Sequence, residues 1–129
     1  MPLLFCVLAW SCTGNSDGYS TTSTGLQYKI IENGTGEPAK AGDQVQIFET
    51  TSYLNGDVLY TNEHSDTPIT VLIGGNQVTA AMDEALRGMQ AGEIRQIIAP
   101  PELVKRKFYP PNVSPDSALT IRIIVHKIL

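Results

Sequence analysis

Cysteine is nearly absent from the sequence: there are two, Cys6 and Cys12, and both lie close to the first residue. The rest of the chain therefore has no disulfide framework, CxxC redox pair, cysteine-ligated zinc site or cysteine nucleophile. The two histidines, His64 and His126, are far apart in sequence, and neither belongs to a cluster with metal-ligand spacing. Neither a G-x-S-x-G turn nor a phosphate-binding glycine motif occurs. We therefore predict no metal site and no cofactor, and conventional catalytic chemistry has no recognisable motif.

Basic residues are also few, with 9 Lys and Arg against 13 Asp and Glu, which gives a formal net charge of −4 and a pI near 5.0. Binding the phosphate backbone of a nucleic acid requires a clustered basic face. The chain has one short basic cluster, at residues 105–107, which lies beside prolines and is predicted to be a solvated loop. We therefore exclude nucleic acid as a partner.

Long hydrophobic runs are missing except at the beginning, where residues 1–10 are almost wholly apolar. About ten residues cannot span a hydrocarbon core of about 30 Å as a helix, so this run does not predict a transmembrane segment. Its length is typical of the apolar region of a signal peptide, although the usual basic region before it is absent from this sequence, which leaves an upstream start codon open. Cys12, which follows Ala9, Trp10 and Ser11, resembles a loose bacterial lipoprotein processing site.

These features predict three regions. Residues 1–12 form a leader with lipidation at Cys12, residues 13–24 a Ser/Thr/Gly-rich tether, and residues 25–129 the folded domain. On this interpretation the protein is exported to the bacterial cell envelope, as a periplasmic or membrane-anchored lipoprotein, and meets the membrane only through its lipid. The alternative is that both cysteines are simply hydrophobic residues of an uncleaved signal.

The sequence pattern of the folded part predicts short strands and one helix. A chain of 129 residues and 14.0 kDa is long enough for one domain. Alternating apolar and polar residues, separated by turn signals, predict strands at residues 26–31, 45–50, 57–60, 69–73, 93–99 and 119–129. Residues 78–86 have their apolar side chains on one helical face and end at Gly88. Arg95 and Arg122 are predicted to point outward from their strands.

One helix among several strands does not give a βαβ alternation. The pattern predicts an α+β fold, in which a curved antiparallel β-sheet is wrapped around one short α-helix. Six apolar residues are predicted to be buried in its core: Ile47, Val71, Ala81, Ala85, Ile97 and Ile123.

Several motifs follow one another in an order and spacing that are more specific than any motif alone. They are GLQYKIIENGTGEPAKAGDQVQI, the turn Asn55-Gly56, ITVLIGG, VTAAMDEALRGMQAGEIRQIIAPPEL, YPPN and SALTIRIIVHKIL. Together they resemble the FK506-binding-protein (FKBP) family of peptidyl-prolyl isomerases, over about residues 25–129.

The resemblance implies an FKBP-type peptidyl-prolyl cis-trans isomerase that acts on proline-containing polypeptide segments in a shallow apolar pocket. No acid, base or nucleophile is required, because rotation about an X-Pro bond makes and breaks no covalent bond. The resemblance assigns the substrate-binding pocket to Phe48, Glu49, Leu59, Tyr60, Ile69, Val78, Thr79, Met82, Lys105, Tyr109 and Ile121. The domain is expected to be a monomer.

The pocket departs from the family pattern at most of its aromatic positions. Met82 stands where the family has a floor tryptophan, and Glu49 stands where it has a tyrosine, unless a local shift brings Phe48 there. One interpretation is a remodelled, more aliphatic pocket with Met82 as an adaptable floor. The other is a degenerate site whose residues only fill the core. A different class is a non-catalytic peptide-binding or chaperone-like envelope lipoprotein, in which Glu49 and Lys105 at the rim would select charged or polar segments. A purely structural envelope module is a third alternative.

Overall fold

The computed structural model describes residues 18–129. The predicted leader, its cysteines and the first part of the predicted tether lie outside the described residues. None of the helices within the described range is long and apolar enough to cross a membrane.

Residues 18–129 contain seven strands and one α-helix. In chain order they are β1 (Ser20–Thr21), β2 (Gln27–Glu32), β3 (Gln44–Tyr53), β4 (Val58–Thr61), β5 (Ile69–Leu72), α1 (Ala80–Leu86), β6 (Ile94–Ala99) and β7 (Leu119–Ile128). A 3-10 helix, Pro101–Val104, follows β6. The strands form one sheet in the order β1-β2-β6-β7-β3-β4, and β5 pairs with β3. Every pairing is antiparallel, so the predicted α+β fold with one short helix is confirmed.

The helix α1 begins two residues later than its apolar periodicity predicts. Thr79 has an extended backbone and is the N-cap, where its hydroxyl accepts a hydrogen bond from the backbone N–H of Met82 at 3.4 Å. Val78 therefore precedes the helix. The helix ends at Leu86, and Gly88 follows with φ of +91°, a left-handed conformation that glycine adopts without strain.

The core lies between α1 and one face of the sheet. The six apolar residues predicted to be buried are all buried, and they are joined by Leu26, Val45, Ile73, Met82, Leu86, Met89 and Val125 among others. Strand β3 supplies Val45 and Ile47 from alternate positions, which is the period expected for a strand with one buried face.

The folded domain begins earlier than residue 25, the boundary expected from composition. Residues 20 and 21 form strand β1 on the edge of β2. The hydroxyls of Thr22 and Thr24 both donate hydrogen bonds to the carboxylate of Glu84 on α1, at 2.8 and 2.7 Å. This polar segment joins the fold through strand pairing and hydroxyl hydrogen bonds. Its low hydrophobicity therefore gave no indication that it belongs to the folded domain.

Arg95 was predicted to point outward, and this is wrong. It lies on the same face of β6 as the buried Ile97, and its side chain is only 13% exposed. Its guanidinium pairs with the buried carboxylate of Glu93 at 2.6 Å and lies over the ring of Tyr28, 5.1 Å from the centroid. An ion pair with a buried carboxylate satisfies the charge without solvent. Arg122 does point outward, as predicted, with a side chain 42% exposed.

Candidate functional site

An open cavity of about 870 Å³ lies where the start of α1 faces strands β3, β4, β5 and β7. The loop that follows the 3-10 helix forms its remaining side. Its lining residues are Glu49, Thr51, Leu59, Tyr60, Ile69, Asn76, Gln77, Val78, Thr79, Met82, Val104, Lys105, Arg106, Lys107, Phe108, Pro110, Asn112, Val113 and Ile121. The cavity is thus built from elements that are distant in sequence.

The floor of the cavity is aliphatic. Met82 lies in the first turn of α1 and is 3% exposed, so it belongs to the core and to the cavity lining at once. Val78 lies just before the helix and packs against the core. Because Thr79 caps the helix, the N-terminal end of α1 is fixed directly beneath the opening.

Three strands supply the apolar walls of the cavity. Leu59 and Tyr60 are contributed by β4, Ile69 by β5 and the buried Ile121 by β7. Tyr60 is 46% exposed, so its ring stands at the rim. The result is a mainly aliphatic surface with one aromatic side chain on the β4 side.

Glu49 is the one carboxylate among the described residues that line the cavity. It continues the inward-facing series of Val45 and Ile47 along β3, and its Oε1 accepts a hydrogen bond from the hydroxyl of Thr51 at 2.9 Å. Burial raises the pKa of the Glu49 carboxyl above its ordinary value, while the Thr51 hydroxyl and the positive charge of Arg106 oppose that rise. Glu49 is therefore a partly desolvated acid inside an apolar cavity.

Residues 105–108 form the opposite rim. Lys105, Arg106 and Lys107 are exposed, and the ring of Phe108 is 79% exposed. Two tyrosines hold the loop in place. The hydroxyl of Tyr109 accepts a hydrogen bond from the backbone N–H of Arg106 at 3.3 Å, and the hydroxyl of Tyr53 bonds the backbone of residues 112 and 114.

Nine of the eleven pocket residues assigned from the sequence lie together around this cavity: Glu49, Leu59, Tyr60, Ile69, Val78, Thr79, Met82, Lys105 and Ile121. Phe48 and Tyr109 do not line it. Phe48 lies on the other face of β3, where its ring meets that of His126 edge-on, with the centroids 5.7 Å apart. The structure therefore places Glu49, and not Phe48, in the cavity.

The residues that follow Lys105 were not predicted to belong to the site. Arg106, Lys107 and Phe108 line the cavity, whereas of the cluster at residues 105–107 only Lys105 was assigned to the pocket from the sequence. These residues are exposed, so the loop is indeed solvated. Their position directly after the PPEL motif and the assigned pocket residue Lys105 was the signal that could have identified them as part of the site.

Among the described residues that line the cavity, Glu49 is the one carboxylic acid, and none is a histidine or a cysteine. Within residues 18–129, no three His, Cys, Asp or Glu side chains lie close enough together to hold a metal ion. What the cavity offers is a mainly aliphatic surface, one half-buried carboxylate and a charged rim. Such a surface can bind an apolar ring and the peptide bond beside it.

Residues 35–126 match the sequence profile of the FKBP-type peptidyl-prolyl cis-trans isomerase family. The match spans more than half of the chain, and it includes α1, strands β3 to β6 and most of β7. The chain therefore belongs to this family, and the resemblance seen in its motifs is confirmed.

Relatives of the chain occur in plants, amoebae and bacteria. It is 38% identical over 98 residues to "Peptidyl-prolyl cis-trans isomerase FKBP19, chloroplastic" of Arabidopsis thaliana, covering 66% of this chain and 38% of that protein. It is 30% identical over 110 residues to "Peptidyl-prolyl cis-trans isomerase Mip" of Coxiella burnetii, covering 84% and 47%. "FK506-binding protein 2" of Dictyostelium discoideum is 33% identical over 108 residues, covering 80% of each chain. The chain thus spans less than half the length of the first two relatives.

Two solved structures have the same architecture. The crystal structure of FkpA from Escherichia coli superposes with a TM-score of 0.78 at 25% identity, over 94% of this chain and 56% of that one. The crystal structure of AtFKBP13 superposes with a TM-score of 0.76 at 22% identity, over 86% and 98%, which shows the shared fold.

Proposed function

We propose that the domain catalyses cis-trans isomerisation of X-Pro bonds in polypeptide segments that enter the cavity. The observation that supports this most strongly is the convergence of nine aligned pocket positions on one open, mainly aliphatic cavity. Fold similarity alone would leave the function open, because one fold hosts many functions. Here the family's pocket positions still form a cavity, although their side chains differ.

Isomerisation of an X-Pro bond requires few chemical groups from such a cavity. Rotation about an X-Pro bond crosses a barrier of about 20 kcal/mol, and no proton needs to move. The twisted imide has lost resonance and carbonyl polarity, so a water-poor surface disfavours it less than the planar ground state. A reduction of the barrier by about 4 kcal/mol accelerates the exchange roughly a thousandfold.

The lining residues take distinct parts in this proposal. Val78 and Met82 contact the proline ring, whose burial is worth only a few kcal/mol at about 25 cal/mol per Å². Leu59, Ile69 and Ile121 exclude water at the sides. The backbone N–H of Thr79, at the position where the family binds a ligand carbonyl, donates to the peptide oxygen, and the Thr79 side chain does not alter that group.

A protease-free isomerisation assay of the full chain with a Leu-Pro peptide tests the proposal. Wild-type protein is expected to accelerate the exchange, and Tyr60→Ala to reduce kcat/KM by about 3- to 10-fold through lost aromatic contact. The matched control is Leu54→Ala, because Leu54 is also exposed but does not line the cavity. An unaccelerated exchange with bound peptide would instead support the non-catalytic peptide-binding alternative.

We also propose that the chain is exported and lipidated at Cys12, and that it acts as a monomer. The apolar run at residues 1–10 and the position of Cys12 support export. Stable membrane retention needs two lipid signals or a diacyl group, so a fully modified cysteine is expected to hold the protein firmly. Cys12→Ser should release the protein from membrane fractions, whereas Cys6→Ser should not. Recovery of soluble wild-type protein that retains Met1 would contradict the export proposal.

A further inference from the structure

The rim of the cavity carries charge of the opposite sign to the whole chain. The formal net charge of the protein is −4, yet the lining contains three cations, Lys105, Arg106 and Lys107, and a single carboxylate, Glu49. The positive charges are consecutive and exposed. They form what we call the basic rim, residues 105–107.

The basic rim is free to meet a ligand. The ion pairs within residues 18–129 join Lys40 to Asp43, Arg87 to Asp83, Arg95 to Glu93 and Arg122 to Glu63, and none uses a cation of the rim. The backbone of the rim is nevertheless fixed, because the N–H of Arg106 bonds the Tyr109 hydroxyl at 3.3 Å. The charges are thus held at the opening without being neutralised by a neighbouring side chain.

The carboxylate inside the cavity does not cancel this field. Glu49 is half-buried, and its Oε1 is engaged by the Thr51 hydroxyl at 2.9 Å. Arg106 is near enough to favour its ionised form, but the two groups do not form an ion pair within the described part of the chain. A peptide therefore meets the three cations of the rim at the surface, and Glu49 only deeper in the cavity.

We propose that the cavity selects polypeptide segments that carry an acidic side chain directly beside the proline. This inference rests on the proposed function, since it names the substrate class of the same cavity. The Cα atom of a flanking residue lies about 3.8 Å from that of the proline across a trans peptide bond, so a carboxylate there reaches the rim while the ring occupies the floor. Complementary charge speeds encounter and orients the segment.

A peptide series tests the selectivity. Peptides with Glu, Gln or Lys in the position before the proline, and a second set varied in the position after it, are assayed for kcat/KM with the full chain. At low salt we expect Glu to exceed Gln by about 3- to 10-fold in at least one position, and Lys to fall below Gln. The Glu advantage should shrink at 0.5 M salt, because exposed charges are screened.

Variants assign the effect to the basic rim. The triple substitution Lys105→Gln, Arg106→Gln, Lys107→Gln should reduce the ratio of kcat/KM between the Glu and Gln peptides to about 1, whatever it does to either value alone. Lys127→Gln, which removes an exposed cation that does not line the cavity, should leave the preference intact. Glu49→Gln should widen it, since it removes the carboxylate that opposes an acidic segment.

The outcomes separate the two proposals. Equal kcat/KM for Glu and Gln peptides at both positions, with clear activity on each, overturns the selectivity and leaves isomerisation standing. A higher kcat/KM for Lys peptides than for Gln peptides also overturns the proposed selectivity, and it would assign the specificity to Glu49 instead. Absence of isomerisation with every peptide overturns the proposed function itself. In that event, tighter equilibrium binding of Glu than Gln peptides would still support the charge selectivity.

Discussion

The hydroxyl of Tyr53, at the end of β3, donates a hydrogen bond of 2.7 Å to the backbone oxygen of Asn112, in the loop that forms one side of the cavity. The same hydroxyl accepts a bond of 2.8 Å from the backbone N–H of Ser114. The Tyr53 hydroxyl thus bonds two backbone groups in residues 112–114, a segment that belongs to no strand or helix. Because Asn112 lines the cavity, Tyr53 positions one wall of the site without lining it.

Removal of that hydroxyl should loosen the wall. Tyr53→Phe keeps the ring and deletes two hydrogen bonds, so we expect a loss of about 1–2 kcal/mol in the free energy of unfolding. Amide hydrogen exchange at residues 112–114 should accelerate much more than exchange in β7. Peptide affinity should fall with the loosened wall. Unchanged exchange at residues 112–114 would show that the hydroxyl does not hold the loop.

The half-buried carboxyl of Glu49 gives the stability of the protein a particular pH dependence. Burial raises the pKa of Glu49 in the native state, so the native protein binds this proton more tightly than the unfolded chain does. The contribution is fully present below the unfolded pKa, and it is lost as pH rises through the native pKa. Glu49→Gln should therefore gain stability relative to wild type as pH rises above the ordinary pKa of a glutamate.

Urea denaturation at a series of pH values measures this difference. The exposed Glu102 provides the control, since Glu102→Gln should change little across the same range. If the gap between Glu49→Gln and wild type narrows with rising pH, the carboxylate is stabilised in the fold and the account of Glu49 is wrong.

The Arg95–Glu93 pair should be far more important for stability than the Arg122–Glu63 pair. The first has side chains that are 13% and 4% exposed with N and O atoms 2.6 Å apart, and the second has side chains 42% and 21% exposed at 3.4 Å. Arg95→Met leaves a buried carboxylate without its cation and should cost about 3 kcal/mol or more. Arg122→Met should cost less than about 1 kcal/mol. Similar losses in thermal denaturation for both variants would contradict this ranking.

Replacement of the floor should strengthen binding. Met82→Trp supplies a rigid aromatic surface at the position where the family has tryptophan, so affinity for a Leu-Pro peptide should rise severalfold, at a packing cost of about 1–3 kcal/mol. The fluorescence of the introduced indole reports the titration. Met82→Leu, which conserves volume and adds no ring, should leave affinity nearly unchanged. Weaker binding by a folded Met82→Trp protein would show that the ring does not face the cavity.

The sequence predicted most of the fold because the period-2 and helical signals are local. Ile47, Ile97 and Ile123 repeat in phase with buried neighbours, and the structure buries all three. By the same periodicity Arg95 would face the core, whereas a charged side chain is ordinarily expected to face solvent. Only the partner Glu93, two residues earlier on the same face, resolves that conflict. Strand β1 was missed because a two-residue polar edge strand has no periodicity.

The cavity was predictable only in part for a related reason. Alignment to a family assigns positions on strands and the helix, where spacing is rigid, and these positions do meet around the cavity. The wall formed by residues 105–113 depends on hydrogen bonds from Tyr53 and Tyr109 that no local pattern encodes. Tyr109 was accordingly assigned to the pocket, although its hydroxyl instead supports the backbone of Arg106.

The most direct test of the central claim is NMR exchange spectroscopy of a Leu-Pro peptide with the full, isotope-labelled chain. Cis and trans peptide signals should exchange faster than the unaided tens to hundreds of seconds. Amide shifts of the protein should cluster at Val78, Thr79 and Met82. Peptide exchange at the unaided rate, with shifts confined to the opposite sheet face around Phe48 and His126, would contradict the assignment of isomerisation to this cavity.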